Sequence, residues 1–65
     1  MLELQIKGMT CGHCVRAVTR AVQGLDPAAT VDIDLTSGRA RIQSTQPAER
    51  LANAIREEGY EATAA

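Results

Sequence analysis

The chain has 65 residues, 7 basic and 8 acidic side chains for a net charge of −1, 45% hydrophobic residues, and Tyr60 as its one aromatic. So short a chain is expected to be one domain, residues 1–65, near the lower size limit for folding alone and without room for both a core and an enclosed active site. Near-zero charge without stacking aromatics argues against a nucleic-acid partner, and no run reaches the roughly 20 apolar residues of a membrane span.

Leu2, Leu4 and Ile6 alternate with Glu3, Gln5 and Lys7, which predicts a strand with one buried face, ended by Gly8. Val15, Val18, Val22 and Leu25 then recur at helical spacing with Cys14, Ala17 and Ala21, while Arg16, Thr19, Arg20 and Gln23 take the other face. Thr10 is the expected N-cap of this helix and Gly24 its stop. Asp26-Pro27 signals a turn. Ala29, Val31, Ile33 and Leu35 alternate with Thr30, Asp32 and Asp34 as a second strand. Thr36-Ser37-Gly38 turns the chain, with Gly38 free to take positive φ, and Ala40 and Ile42 mark a third strand paired with the second as a hairpin. A second helix opens near Pro47, which suits the first helical position, and buries Ala48, Leu51, Ala52 and Ile55. Gly59 is its expected C-terminal cap, and Tyr60 to Thr63 form a short last strand. Two strand–helix–strand halves predict an α+β, ferredoxin-like βαββαβ fold, a four-stranded antiparallel sheet with both helices on one face. Its buried face would carry Leu2, Leu4, Ile6, Val31, Ile33 and Ile42.

The chemistry sits in Gly8-Met9-Thr10-Cys11-Gly12-His13-Cys14. The N-terminus lacks the basic start and apolar run of a signal peptide, so the expected compartment is the cytoplasm, where a thiol pair is a metal site or redox centre rather than a staple. Cys14 falls in the first turn of the predicted helix, where unpaired N–H groups and the helix dipole favour a thiolate. Two thiolates at this spacing can point at one soft ion such as Cu(I) or zinc. A structural zinc site would need four ligands, and the motif offers two cysteines with His13 between them. Two sulfurs suit Cu(I) at low coordination number, and an under-coordinated site admits a partner's sulfur.

This motif, between the first strand and first helix of a βαββαβ chain, resembles the heavy-metal-associated domain family. The length is similar to that of its stand-alone bacterial copper chaperones of the CopZ type. A start at Met1 and a short tail at Ala62–Ala65 are read as a whole chain rather than an excised transporter domain. The resemblance implies Cu(I) bound by Cys11 and Cys14. It implies delivery to a copper-transporting P-type ATPase and its metal-binding domains, or to a copper-responsive regulator. It implies no catalysis. Met9 matches a motif methionine that faces the core, and Tyr60 an aromatic position near the metal.

Other readings stand beside these. Met9 has a soft thioether but is expected to fill the core. His13 is expected to be a solvated loop residue; it would join a metal site where two molecules meet, so a metal-bridged dimer is the alternative to a monomer. Tyr60 either shields the site or anchors the last strand. Arg16 and Arg20, one turn apart, are either a solvated face or a docking surface for an acidic partner. Arg39 and Arg41 lie in the hairpin, away from the motif. Gly12 and Gly38 are expected for backbone conformation. Thiolates also accept Hg(II), Ag(I) and Zn(II). Cys-Gly-His-Cys is, in addition, a disulfide-exchange tetrapeptide, so a thiol–disulfide oxidoreductase is the contrasting function. Against it, the chain is short for a thioredoxin fold and offers no Pro-containing loop to face the thiols.

Overall fold

The computed structural model describes residues 2–9 and 12–64. The elements run β1 (Leu2–Lys7), α1 (Gly12–Leu25), β2 (Thr30–Asp34), β3 (Arg39–Gln43), α2 (Ala48–Glu57) and β4 (Glu61–Ala64). This is the βαββαβ order the periodicities predict. The four strands form one antiparallel sheet in the order β2-β3-β1-β4, with α1 packed against α2 and β2, and α2 against β1 and β4. Leu4, Ile6, Ala40, Ile42 and Ala62 from the sheet meet Val18 and Val22 of α1 and Leu51, Ala52 and Ile55 of α2 in the core, all at most 3% exposed. Leu2, Val31 and Ile33 are only partly buried against that cluster, because β2 is an edge strand and Leu2 opens β1. No polar or charged side chain is buried among the described residues, so the polar chemistry described lies on the surface.

The other sheet face is polar and ordered by charge. Asp32 pairs with Arg41 and Arg41 with Glu3 across neighbouring strands, and Arg41 Nε lies 3.3 Å from Glu3 Oε1. Opposite charges on facing positions reinforce this register, each pair contributing about 0.2–1 kcal/mol.

Five boundaries depart from expectation, one of them at β4, which runs Glu61–Ala64 rather than Tyr60 to Thr63 and leaves Tyr60 in the link before it. The helix does not stop at Gly24. It runs to Leu25, and Asp26 N–H still bonds the Val22 carbonyl at 2.9 Å. Leu25 packs on the core and draws the last turn inward, and Pro27, with no N–H to offer, ends it. Gly24 is exposed, has no positive φ, and an added Cβ there meets nothing within 4 Å. Gly24→Ala is therefore expected to stabilise the fold by about 0.5–1 kcal/mol, read as a raised midpoint in chemical denaturation. Leu35 lies outside β2 and is 41% exposed: Asp34 takes the chain into the turn by accepting Thr36 N–H at its carboxylate and Gly38 N–H at its carbonyl. β2 itself starts one residue later than predicted, at Thr30. Pro47 is the N-cap of α2 rather than its first residue. Its ψ of 146° is extended, and its carbonyl accepts the Leu51 N–H.

At the pole where α1 ends, Asp26 joins two loops by accepting Ser44 Oγ–H at 2.6 Å and the N–H groups of Ala28 and Thr45. The Ser44 hydroxyl foremost, and the two N–H groups with it, lower the carboxyl's pKa from its ordinary value against an opposing desolvation.

Candidate metal site

The motif leaves the sheet at the end of β1. Gly8 has φ +96°, a left-handed conformation that side chains resist, and this turns the chain out of the strand. Tyr60 lies beside it, with Cδ1 3.6 Å from where a Gly8 Cβ would stand. Met9 follows, half-buried and packed against the core. Thr10, the expected N-cap, and Cys11, the first predicted thiol ligand, lie outside the described residues.

α1 begins at Gly12. Cys14 is in its first turn and is intermediate in exposure. Four residues on, at the same helix face, Val18 is fully buried. The Cys14 side chain thus stands where the core-facing stripe meets the surface, and no acidic residue in the first turn of α1 opposes the positive end of the helix. His13 is exposed. Gly12 is also exposed, its φ is not positive, and a Cβ there meets nothing within 4 Å. The expectation that backbone conformation requires Gly12 is corrected: helical φ suits any residue, and the positive-φ glycines described are Gly8, Gly38 and Gly59. Among the described residues no group of three or more His, Cys, Asp or Glu gathers around one point.

Arg16 and Arg20 are exposed on α1 and line a shallow groove with Val15, Thr19 and Gln23 that holds no acidic residue. The hairpin turn lies closer to the motif than the sequence suggests. Ile6 N–H donates to the Gly38 carbonyl at 2.7 Å, and Gln5 Nε2 to the Ser37 carbonyl at 2.6 Å. Residues 37–38 therefore clasp β1 just before it runs into the cysteine loop. Arg39 opens β3 at this end, opposite Gln5, while Arg41, next to Glu3, lies further from it. Sequence reasoning missed this clasp and the role of Gly8. The strand-ending glycine was visible, but a hydrogen bond between residues 32 apart leaves no periodic trace.

Residues 3–61 match the heavy-metal-associated domain family, and the chain belongs to it. The copper chaperone CopZ of Staphylococcus aureus is 33% identical over 61 residues, which cover 89% of this chain and 90% of that protein. The structure of the copper chaperone Atx1 from Synechocystis PCC6803, in its Cu2 form, superposes with a TM-score of 0.92 at 40% identity, covering 97% of this chain and all of that one. A gold-binding protein superposes with a TM-score of 0.93 at 28% identity over the whole of both chains. No helix among the described residues is long and apolar enough to cross a membrane.

Proposed function

We propose that residues 1–65 form a single-domain copper chaperone of the cytoplasm, which binds Cu(I) through Cys11 and Cys14 and passes it on without catalysis. The observation that carries this reading is Cys14 in the first turn of α1, three residues after Cys11 in the motif and within a domain whose relatives include copper chaperones. A helix N-terminus supports the one net negative charge of a dithiolate holding Cu(I). The ion is cargo, and transfer is ligand exchange at constant oxidation state. A partner thiolate bonds to the copper to give a three-sulfur intermediate and one of the chain's own Cu–S bonds breaks; a second partner thiolate then bonds as the chain's remaining Cu–S bond breaks. Cys11, first of the pair in sequence, makes or breaks the first Cu–S bond in exchange with the partner, and Cys14 is held by α1. The recipient is a copper-transporting P-type ATPase, through its metal-binding domains, or a copper-responsive regulator. Met9, packed against the core, supports the motif from that side.

The gold-binding relative fits a site that selects soft ions by sulfur chemistry. Copper must therefore be tested against its rivals. The experiment is a competitive titration across Cu(I), Ag(I), Hg(II) and Zn(II) against chelators of known strength, beside an insulin-reduction assay. One Cu(I) held by two thiols, with no reductase turnover, is expected. Disulfide turnover without copper binding would overturn the proposal.

Arg16 and Arg20 supply the docking face for an acidic surface of the recipient. Charge reversal of both, to Glu, is expected to slow copper transfer to a copper-ATPase metal-binding domain by about tenfold at low salt while affinity for copper stays the same. The difference should shrink as salt is raised. Equal transfer rates at low ionic strength would leave the two arginines as a solvated face.

A further inference from the structure

Arg56, in the last turn of α2, donates three side-chain hydrogen bonds. Its Nε and Nη2 both donate to the Ala62 carbonyl, at 3.0 and 2.6 Å, and its Nη1 donates to Asn53 Oδ1 at 2.7 Å. Ala62 belongs to β4, the edge strand beside β1. Its register explains why that carbonyl is available. Ile6 faces Ala62 across β1 and β4, but Ile6 N–H is turned the other way, to Gly38. Ile6 and Ala62 are thus a non-hydrogen-bonded pair, and the backbone groups of Ala62 point to the open edge. The guanidinium fills that place and ties the end of α2 to β4 across residues 57–61.

The tied segment contains Tyr60. It leaves α2 through Gly59 at φ +97°, with Gly59 N–H on the Arg56 carbonyl, and it re-enters the sheet where Glu61 pairs with Lys7. Between these points Tyr60 lies beside Gly8, the residue that ends β1 ahead of the cysteine motif, its Cδ1 3.6 Å from where a Gly8 Cβ would stand. Arg56, Tyr60 and Lys7 line one groove on this edge. We propose that Arg56 is a positioning residue of the metal site: its guanidinium clasps the Ala62 carbonyl and so holds Tyr60 against Gly8 at the entrance to the cysteine loop. It touches neither cysteine in this scheme and acts through the tyrosine. The inference rests on Cys11 and Cys14 being the metal pair.

The guanidinium fork is suited to the task, since two parallel donors on one acceptor and a third on Asn53 fix its plane, which an ammonium cannot reproduce. Wild type, Arg56→Ala, Arg56→Lys, Tyr60→Ala and the double variant Arg56→Ala/Tyr60→Ala are compared. Tyr60 is the one aromatic residue, so tyrosine fluorescence in the metal-free protein reads its position directly. Acrylamide quenching is expected to rise by about twofold in Arg56→Ala, with the lysine variant between the two. Copper release to a colorimetric Cu(I) chelator is expected to quicken by about threefold or more in Arg56→Ala, and Arg56→Ala to add nothing when Tyr60 is already absent. Unchanged quenching or release in a folded Arg56→Ala protein would overturn the proposal, as would full additivity in the double variant. Should Arg56→Ala not fold, the lysine variant carries the same comparisons. Failure of wild type to bind Cu(I) would reject the metal reading itself, and the metal-free quenching arm would still report on the clasp.

Discussion

Serine at position 14 is expected to abolish tight Cu(I) binding while the domain keeps its fold. Cys14 is half-exposed at the rim of the α1 core stripe, and exchanging sulfur for oxygen alters little volume, so stability should change by no more than about 1 kcal/mol. The metal loses far more. A hydroxyl at this position remains protonated near neutral pH and is a hard donor, whereas the ion is soft. The loss should exceed about a thousandfold, beyond the 10–100-fold typical of disturbing residues that only support metal ligands. Serine at position 11 should produce the same loss of affinity. The measurements are chelator competition for Cu(I) and circular dichroism on the same samples. Wild-type affinity in either single variant would reject the pair as ligands. Loss of fold in Cys14→Ser would show instead that the thiol serves packing. The position four residues further along α1, Val18, gives the contrasting outcome: it is fully buried, and its truncation to Ala should lower stability without changing copper stoichiometry.

The architecture was legible because each element writes its own period. Two-residue alternation in Leu2–Lys7 and the spacing of Val15, Val18 and Val22 are local patterns, and a short chain with two such halves has few ways to close them into one sheet. The motif was legible for a similar reason, since two cysteines with two residues between them, where a strand gives way to a helix that begins at Gly12, are marked by composition and spacing alone. Element ends were less so. Gly24 carries the same letter as a helix stop, yet the pull of Leu25 on the core decides that α1 continues, and this is a tertiary effect. The surroundings of the motif were least legible. Arg56 looks in sequence like any surface cation in a last helical turn, and only the register of β4 shows that a carbonyl waits for it. Gly38 was expected to need positive φ for its turn and has φ +72°. That its α-carbon also abuts β1 was not visible, because the contact joins residues more than thirty apart, with α1 and β2 between them.

That contact sets the second large effect. Gly38→Ala is expected to destabilise the domain by about 2–4 kcal/mol, from two additive sources. The first is backbone strain, about 1–2 kcal/mol for an L-residue in the left-handed region. The second is steric. A Cβ at Gly38 would stand 2.6 Å from the Ile6 carbonyl oxygen and 3.0 Å from Gln5 Nε2, and the nearer atom is backbone in the middle of the sheet. To make room, β1 or the turn must move, loosening the 2.7 Å bond from Ile6 to Gly38 and the 2.6 Å bond from Gln5 to Ser37. Each such bond contributes about 0.5–1.5 kcal/mol. Gly59 separates the two sources. It has φ +97°, and a Cβ there meets nothing within 4 Å, so Gly59→Ala should cost only the strain, about 1 kcal/mol. For a domain of this size each kilocalorie lowers Tm by about 4–8 °C, so the two variants should differ by roughly 5 °C or more in a thermal melt. Equal melting temperatures would show that the turn yields freely and that the hairpin does not clasp β1. A larger loss at Gly38 locates a second support of the proposed metal site: Ile6 is held from the hairpin side two residues before Gly8 takes the chain out of the strand.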